Sequence, residues 1–279
     1  ELSRVDGSTA ATIAADNSLG ISPIKEYGTK EQKEKYLPLL CKTHLWGFGL
    51  TEETAGCDSR GTKSTARLED DKWILNGTKI FITNSATPMT LGSTVQVVSG
   101  EKNGKPEFTT FLMENDTPGF TQEPMNRKMM WRASNTGRLT FNNVELTNDN
   151  MLGAPGQGSH IMLATLDGGR LSIAAMALGC AQGAYEMALA YSKEREQFGK
   201  QICKFQAVSF KLADMAMKIE AARCLLYKAC RIKDAGMPFG KEAAMAKLYC
   251  SEVAAEVCDN AVQVMGGHGL LKDFDMERF

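Results

Sequence analysis

The feature that most constrains this chain is its hydrophobic period, which changes twice. Up to about residue 40 the apolar residues recur at helical spacing, and "GTKEQKEKYLPLL" has a helix start at Thr29. From Trp46 onwards, short runs rich in β-branched and aromatic residues alternate with turn signals. After the glycine-rich residues 153–158 the pattern is helical again. This order predicts an α+β multidomain protein.

Three domains are predicted from these changes. Residues 1–45 are the remainder of an N-terminal helical domain, too small to hold a core alone. Residues 46–152 form a middle β-barrel or sandwich domain, and residues 153–279 form an incomplete C-terminal long-helix bundle of the four-helix type. The bundle patterns break at Gly199 and at residues 236–238. The second helical pattern has one apolar face, made of Val208, Leu212, Met215, Ile219, Ala222 and Leu226.

Within the β domain the predicted strands are "WGFGL", "KWILNGTKIFIT", "STVQVVS", "PEFTTFLM" and "GRLTFNNVEL". Asn76–Gly77 and Asn103–Gly104 are predicted hairpin turns, because type I′ turns need positive φ at both central residues. Side chains alternate along a strand, so Phe81 and Thr83 should share one face while Ile82 points away. An aromatic ring beside a hydroxyl suits a flat heterocycle, although such residues alone more often belong to an ordinary half-buried strand.

Composition excludes several classes of protein. The 279 residues include 32 Lys and Arg against 33 Asp and Glu, so charge gives no case for nucleic acid binding. The sequence contains no run of 18 apolar residues, so no membrane-spanning helix is predicted. The eight cysteines have no C-x-x-C spacing and five lie in helix-like stretches, which predicts small buried thiols in a reducing compartment. The three histidines lack ligand spacing, so no metal site is predicted.

A series of motifs resembles the acyl-CoA dehydrogenase family. "GLTEETAGCD" is similar to the family's L-T-E-P-x-A-G-[ST]-D segment, "NGTKIFITN" to N-G-x-K-x-[WF]-I-[TS]-N, and "MMWRASNT" to [LM]-G-x-R-[AG]-S-x-T. "LDGGRLSIAAMALG", "YSKEREQFGKQICKFQ", "LADMAMKIEAAR" and "AVQVMGGHGL" resemble its helical part. The matches follow family order along nearly the whole chain, and the short-chain or butyryl-CoA branch is the most similar.

The resemblance implies an FAD site between the β domain and the bundle. In the β domain it implies cofactor contacts from Phe48, Leu50, Thr51, Gly56, Cys57, Phe81, Ile82 and Thr83. In the bundle it implies contacts to a neighbouring subunit's FAD from Arg195, Phe198, Gln206, Gln263, Val264, Met265, Gly266 and Gly267. The substrate-binding residues that it implies are Cys57, Asp167, Gly168, Gly169 and Arg170.

The implied activity is FAD-dependent α,β-dehydrogenation of a short-chain acyl-CoA to trans-2-enoyl-CoA, with electrons passing to an electron-transferring flavoprotein. No catalytic residue is expected in this chain, because the family's Glu in a Y-E-G-T segment should lie beyond Phe279. The chain is therefore expected to be truncated at both ends. The family also implies a homotetramer, located in the cytoplasm of a bacterium or in the mitochondrial matrix of a eukaryote.

Two alternatives stay open at this point. The same scaffold could serve an enoyl-CoA reductase or an acyl-CoA oxidase, and the missing base also allows a non-catalytic FAD-binding or assembly protein. The chain departs from the family pattern at Glu53, Thr54, Cys57 and Met130. The thiol of Cys57 is a weaker hydrogen-bond donor than the usual hydroxyl, which could alter flavin or thioester binding.

Overall fold

A computed structural model describes all residues from 1 to 279. Its first helices are α1 (Gly7–Ala15), α2 (Ser22–Tyr27) and α3 (Lys30–Leu40), with a π-helical segment at Asp16–Ile21 between α1 and α2. The predicted start of α3 is confirmed. The Thr29 hydroxyl accepts from Gln32 N at 3.2 Å, and the Gln32 side chain accepts from Thr29 N at 3.0 Å, which is a complete capping box.

The middle of the chain is one sheet of eight strands. They are β1 (Leu45–Gly49), β2 (Thr65–Glu69), β3 (Lys72–Thr83), β4 (Thr90–Lys102), β5 (Lys105–Glu114), β6 (Phe120–Pro124), β7 (Thr136–Leu146) and β8 (Met151–Leu152). Their order is β6-β7-β3-β2-β4-β5-β8, with β1 parallel to β4. Trp73 of β3 and Phe111 of β5 are not on neighbouring strands, yet their ring centroids are 5.5 Å apart. The sheet therefore curls, so that residues of strands that are not neighbours pack in one cluster.

One of the two predicted hairpin turns is wrong. Asn103–Gly104 joins β4 to β5 with φ of 54° and 72°, as expected for a type I′ turn. Asn76–Gly77 instead lies inside β3, where the pairing with β7 is irregular and Gly77 has φ of 144°. The turn that joins β2 to β3 is Asp70–Asp71, with φ of 45° and 65°. The Asn-Gly pair thus marks a bulge rather than a hairpin.

The C-terminal part contains three long helices, α4 (Gly158–Glu194), α5 (Gln206–Asp234) and α6 (Gly240–Met265). A two-residue turn at Phe198–Gly199 joins the short strands β9 (Glu196–Gln197) and β10 (Lys200–Gln201). Both predicted helix breaks are confirmed. The predicted apolar face of α5 is confirmed as well, since it packs in the bundle core. Cys224 on α5 is exposed, so the prediction of a buried thiol is wrong there.

The chain divides into two compact units, one of residues 12–166 and one of residues 1–11 with 167–279. In the first unit, α2 and α3 share a core with the sheet, where the rings of Tyr36 and Trp46 have centroids 5.0 Å apart. The early helices therefore do not form a core of their own. The three predicted domains at 1–45, 46–152 and 153–279 stay a prediction.

Helix α4 is long and apolar enough to cross a membrane by length and composition alone. The core helix of a protein without any membrane segment passes the same test. Leu171, Ala174 and Leu178 of α4 pack in the core with residues of α5 and α6. The apolar character of this part of α4 is thus accounted for by packing against α5 and α6.

Candidate active site

The first candidate segment is the loop after β1, at residues 50–57. Glu52 N donates to Ala55 O at 3.0 Å and Ala55 N donates to Glu52 O at 3.2 Å, which closes a tight turn. Gly56 and Cys57 lie exposed just after this turn. A Cβ atom built on Gly56 would meet nothing within 4 Å. Packing within the chain therefore does not require a glycine at 56, and the open backbone is free to approach a ligand.

A buried ion pair holds this loop from below. The Glu52 carboxylate, in a residue only 6% exposed, lies 2.7 Å from Lys79 Nζ. Its two oxygens also accept from Lys63 N at 2.7 Å and from Ser64 N at 3.1 Å. Lys79 Nζ makes a second contact with Leu50 O at 3.3 Å. An unpaired carboxylate in the interior would be strongly unfavourable, and these donors pair both oxygens of Glu52.

The environment of this pair sets the charge of the carboxyl group. Burial raises the pKa of Glu52, but the Lys79 ammonium and the backbone donors outweigh burial and hold that pKa below its ordinary value. Burial lowers the pKa of Lys79, and the Glu52 carboxylate opposes that change. Sequence reasoning missed this pair. The available signal was a lysine inside the apolar run "TKIFIT", since lysine is almost never fully buried without a partner.

The second candidate segment is the end of β3. Phe81 is 62% exposed and has a φ of 60°, while Ile82 is buried in the core of the sheet. The pairing of β3 with β7 is irregular between Lys79 and Ile82, so Phe81 lies at a break in the ladder, and the shared face of Phe81 and Thr83 stays a prediction. Phe81 is nevertheless exposed and Ile82 buried, as expected. A bulky residue with positive φ is strained, and strain of this kind concentrates at functional sites.

The two segments are joined directly. Ile80 N donates to Thr51 O at 2.9 Å, and Lys79 of β3 binds Glu52 of the loop. Phe48 lies half-buried on β1 and Leu50 is buried at its end. The loop after β1 and the end of β3, which carry most of the predicted β-domain residues, are therefore adjacent. The side chains of Leu50 and Ile82 are buried, which leaves only their backbone for a ligand.

A third segment, which contains the "MMWRASNT" motif, is fixed beside the end of β3. Asn135 Oδ1 accepts from Ala86 N at 2.9 Å, and Asn135 O accepts from Asn84 N at 3.2 Å. A cavity of about 610 Å³ lies along residues 125–128 and 132–136. Met130, which stands where the family pattern has glycine, is exposed. Its side chain therefore does not disturb the packing of the sheet.

In the other unit, one candidate group lies at the β9–β10 hairpin. Arg195 is exposed, and its backbone accepts from Ile202 N at 2.9 Å across the hairpin. Phe198 at the turn is 94% exposed and has a φ of 51°. Gln206 is the exposed first residue of α5. The side chains of Arg195 and Gln206 make no hydrogen bond within the chain, so their polar groups are free for an external partner. The ring of Phe198 meets Phe205 edge to face, with centroids 6.1 Å apart, and is otherwise exposed.

The end of α6 supplies a further group. Gln263 is exposed, and a Cβ atom at Gly266 or Gly267 would meet nothing within 4 Å. Gly266 has a φ of 60°, which ends the helix and favours glycine. Val264 and Met265 are buried in the bundle core, so only their backbone can reach a ligand.

The predicted substrate segment lies on one turn of α4. Asp167 and Arg170 form an ion pair along the helix. A Cβ atom at Gly168 would meet only Lys233 Nζ, at 3.8 Å, whereas Gly169 is buried. Packing therefore does not explain the glycine at 168. The helical position is unfavourable for glycine by about 1 kcal/mol relative to alanine.

The comparisons with known proteins agree with this architecture. The acyl-CoA dehydrogenase N-terminal, middle and C-terminal domains match residues 1–44, 47–144 and 156–279. The chain therefore belongs to the acyl-CoA dehydrogenase family of oxidoreductases, and the predicted family and fold class are confirmed.

Some of the relatives are named short-chain specific. The chain is 46% identical to the short-chain specific acyl-CoA dehydrogenase of Megasphaera elsdenii, over all of this chain and 73% of that protein. It is equally similar to the probable acyl-CoA dehydrogenase YngJ of Bacillus subtilis, with the same coverage. The structure of butyryl-CoA dehydrogenase from Megasphaera elsdenii has a TM-score of 0.95, covering 100% of this chain and 73% of that one.

Proposed function

We propose that this protein dehydrogenates a short-chain acyl-CoA thioester to trans-2-enoyl-CoA with FAD as cofactor, passing the electrons to an electron-transferring flavoprotein. The observation that carries the proposal is the strained, exposed Phe81, tied through Ile80 N and Thr51 O to an open glycine loop. The 46% identity to a relative named short-chain specific supports the substrate class. A chain in the structure of an electron transferring flavoprotein of Acidaminococcus fermentans is also 46% identical, with a TM-score of 0.95.

The residues fit FAD. The ring of Phe81 is exposed and free to lie against a flat heterocycle, and the Thr83 hydroxyl on the same strand would donate or accept a hydrogen bond at that ligand. Gly56, Gly266 and Gly267 have open space where a Cβ would stand, so their backbone N–H groups are accessible to an anionic or polar edge. Bound FAD would supply the acceptor for the hydride that leaves the β-carbon of the acyl chain.

The roles of the protein residues follow from their chemistry. In the β domain, Thr51, Cys57 and the backbone of Ile82 would bind the flavin and its pyrophosphate. In the bundle, Arg195 would place a guanidinium against the pyrophosphate of a neighbouring subunit's FAD, with Phe198, Gln206 and Gln263 at the same cofactor. Such a shared site requires at least a homodimer, and we propose a homotetramer.

The thioester side of the site would be held by Asp167, Gly168, Gly169 and Arg170, with Cys57. Because Gly168 leaves the helix surface open, the pantetheine chain could lie against the backbone of α4. Cys57 would offer a weaker donor than a hydroxyl. The α-proton must pass to a positioned base, and a carboxylate suits this task. We assign no residue of 1–279 to that role.

The location also follows only by analogy. The short-chain relative of Bos taurus, 40% identical over all of this chain, is named mitochondrial, while the Megasphaera and Bacillus relatives are bacterial. We therefore propose the cytoplasm if the source is a bacterium and the mitochondrial matrix if it is a eukaryote.

Anaerobic titration of the purified, yellow protein with butyryl-CoA tests the function. We expect the visible flavin absorbance to bleach, and an added electron-transferring flavoprotein to restore it. Flavin-loaded protein that keeps its colour with butyryl-CoA and with longer or branched acyl-CoA thioesters would overturn the proposal.

The second candidate function is that of an oxidase. The prolyl acyl carrier protein oxidase AnaB is 34% identical to this chain with a TM-score of 0.93, so an oxidase shares this fold. If the bleached protein reoxidises in air as fast as with the flavoprotein acceptor, with stoichiometric oxygen consumption, an oxidase replaces the dehydrogenase.

A further inference from the structure

The Glu52–Lys79 ion pair connects the two candidate segments of the β domain. Glu52 belongs to the loop that holds Thr51, Gly56 and Cys57, and Lys79 lies two residues before Phe81 on β3. Lys79 Nζ is 2.7 Å from Glu52 Oε1 and 3.3 Å from Leu50 O. One buried ammonium group therefore binds the loop at two points and anchors it to the strand.

The pair is placed where the backbone is least regular. The pairing of β3 with β7 is interrupted between Lys79 and Ile82, so the sheet ladder does not fix Phe81. The loop at residues 50–57 is not part of a strand pair either. Its backbone is held by the Glu52–Ala55 bridge and by the hydrogen bond from Ile80 N to Thr51 O. Charge-assisted hydrogen bonds in a dry interior are strong and directional, so they can fix geometry that a ladder does not.

Glu52 also binds the chain segment that leads into β2. Its carboxylate also accepts from the backbone of Lys63 and Ser64, which lie just before β2. All its donors are either backbone groups or Lys79. A buried pair of this kind seldom adds net stability compared with apolar residues of the same size, but it can specify one arrangement of the groups around it.

We propose that Lys79 and Glu52 are positioning residues, which set the distance between the Thr51–Cys57 loop and Phe81 so that both contact the flavin. This inference rests on the proposed FAD-dependent function. Neither side chain touches the cofactor, because both are buried beneath the segments that do. The pair acts on the binding of FAD rather than on the chemical step.

The test uses Lys79→Met and the double variant Lys79→Met with Glu52→Gln in the whole protein. The single variant leaves the Glu52 carboxylate buried and unpaired, which should lower stability. The double variant removes both charges, so its melting temperature should recover towards that of the unsubstituted protein. The amide introduced by Glu52→Gln can still accept from one backbone donor, but nothing replaces the contact between Lys79 Nζ and Leu50 O.

Flavin-free protein is titrated with FAD at a temperature where circular dichroism shows each variant folded. We expect the Kd for FAD to rise about tenfold or more in both variants, as for the loss of a hydrogen bond to a charged group. Hydrogen exchange at the amides of Lys63 and Ser64 in flavin-free protein should become faster in both. Recovery of stability without recovery of FAD affinity separates positioning from simple stabilisation.

Lys72→Met is the matched control. Lys72 lies at the start of the same strand and pairs with Glu145 Oε2, also at 2.7 Å, but both side chains are exposed. This variant should bind FAD with unchanged Kd.

Folded variants at Lys79 that keep the Kd of the unsubstituted protein would overturn the inference. So would a double variant in which stability and FAD affinity recover together. Failure of the unsubstituted protein to bind FAD would instead overturn the proposed function and this inference with it.

Discussion

The buried carboxylate of Asp16 accepts a hydrogen bond from Trp46 N at 2.9 Å. Asp16 lies in the π-helical segment after α1, and Trp46 is on β1, next to the proposed flavin segment. Burial raises the pKa of Asp16 to about 6, and the single bond from Trp46 opposes the rise only in part. A carboxylate without an ion-pair partner is therefore held inside the fold at neutral pH.

This arrangement predicts how stability depends on pH. Because the folded-state pKa is above the unfolded value of about 4, the contribution of Asp16 is fully present below pH 4 and is lost as pH rises through 6. Asp16→Asn keeps an oxygen acceptor without a charge, so it should increase the free energy of unfolding at pH 8 by up to about 2–3 kcal/mol. At pH 4 the two proteins should differ little.

Urea unfolding of both proteins at pH 4, 6 and 8 measures the effect. The control is Asp214→Asn, which removes an exposed carboxylate on α5 and shows how much of the difference comes from the substitution of any aspartate. A difference for Asp16→Asn that is constant across pH would contradict the expectation.

The strained backbone of Phe81 gives a second prediction. At φ of 60° alanine is strained by roughly 1–2 kcal/mol while glycine is not, so Phe81→Gly should be more stable than Phe81→Ala by about 1 kcal/mol. At Ile82, in the ordinary strand region, glycine should be the less stable of the two. Urea unfolding of the four variants tests this, and the same order at both positions would show that φ is not the cause.

The features that could be predicted from the sequence depend on residues close together in the chain. Thr29 and Gln32 cap α3 through atoms three residues apart, and the apolar face of α5 follows from spacing alone. The Asn76–Gly77 pair correctly indicated positive φ at Gly77, but not whether the chain reverses there. That outcome depends on β7, whose residues pair with this part of β3 from more than 60 residues away.

The residues of the candidate site could be predicted from sequence motifs, but their arrangement in space could not. The family resemblance identified the loop at residues 50–57 and Phe81, and the glycines without packing neighbours agree with it. The Glu52–Lys79 pair joins residues 27 apart in sequence, and no local pattern pairs them. The left-handed φ of Phe81 was equally hidden, because it arises from a bulge against another strand.

Two glycines allow packing and ligand binding to be separated. Gly56→Ala should leave the free energy of unfolding nearly unchanged, because the new Cβ meets nothing within 4 Å, but it should weaken binding at the loop. Gly77→Ala should lower stability by about 1–3 kcal/mol, because its Cβ would clash with Ser64 Oγ at a φ of 144°. Thermal unfolding and FAD titration of each variant test this. A Gly56→Ala variant that binds FAD and butyryl-CoA normally would remove the loop from the site.

A substitution at Gly168 on α4 should raise stability and weaken substrate binding. A Cβ there would meet only Lys233 Nζ, the far end of a flexible side chain, at 3.8 Å. Gly168→Ala should therefore raise the free energy of unfolding by up to about 1 kcal/mol through helix propensity. If the pantetheine chain lies against this turn, the same methyl group should raise the KM for butyryl-CoA while the Kd for FAD stays unchanged. Gly179→Ala on the same helix is the contrasting variant, because its Cβ would clash with Ser3 Oγ and should destabilise the protein. A stabilised Gly168→Ala protein with an unchanged KM would show that the open surface of α4 does not face the substrate.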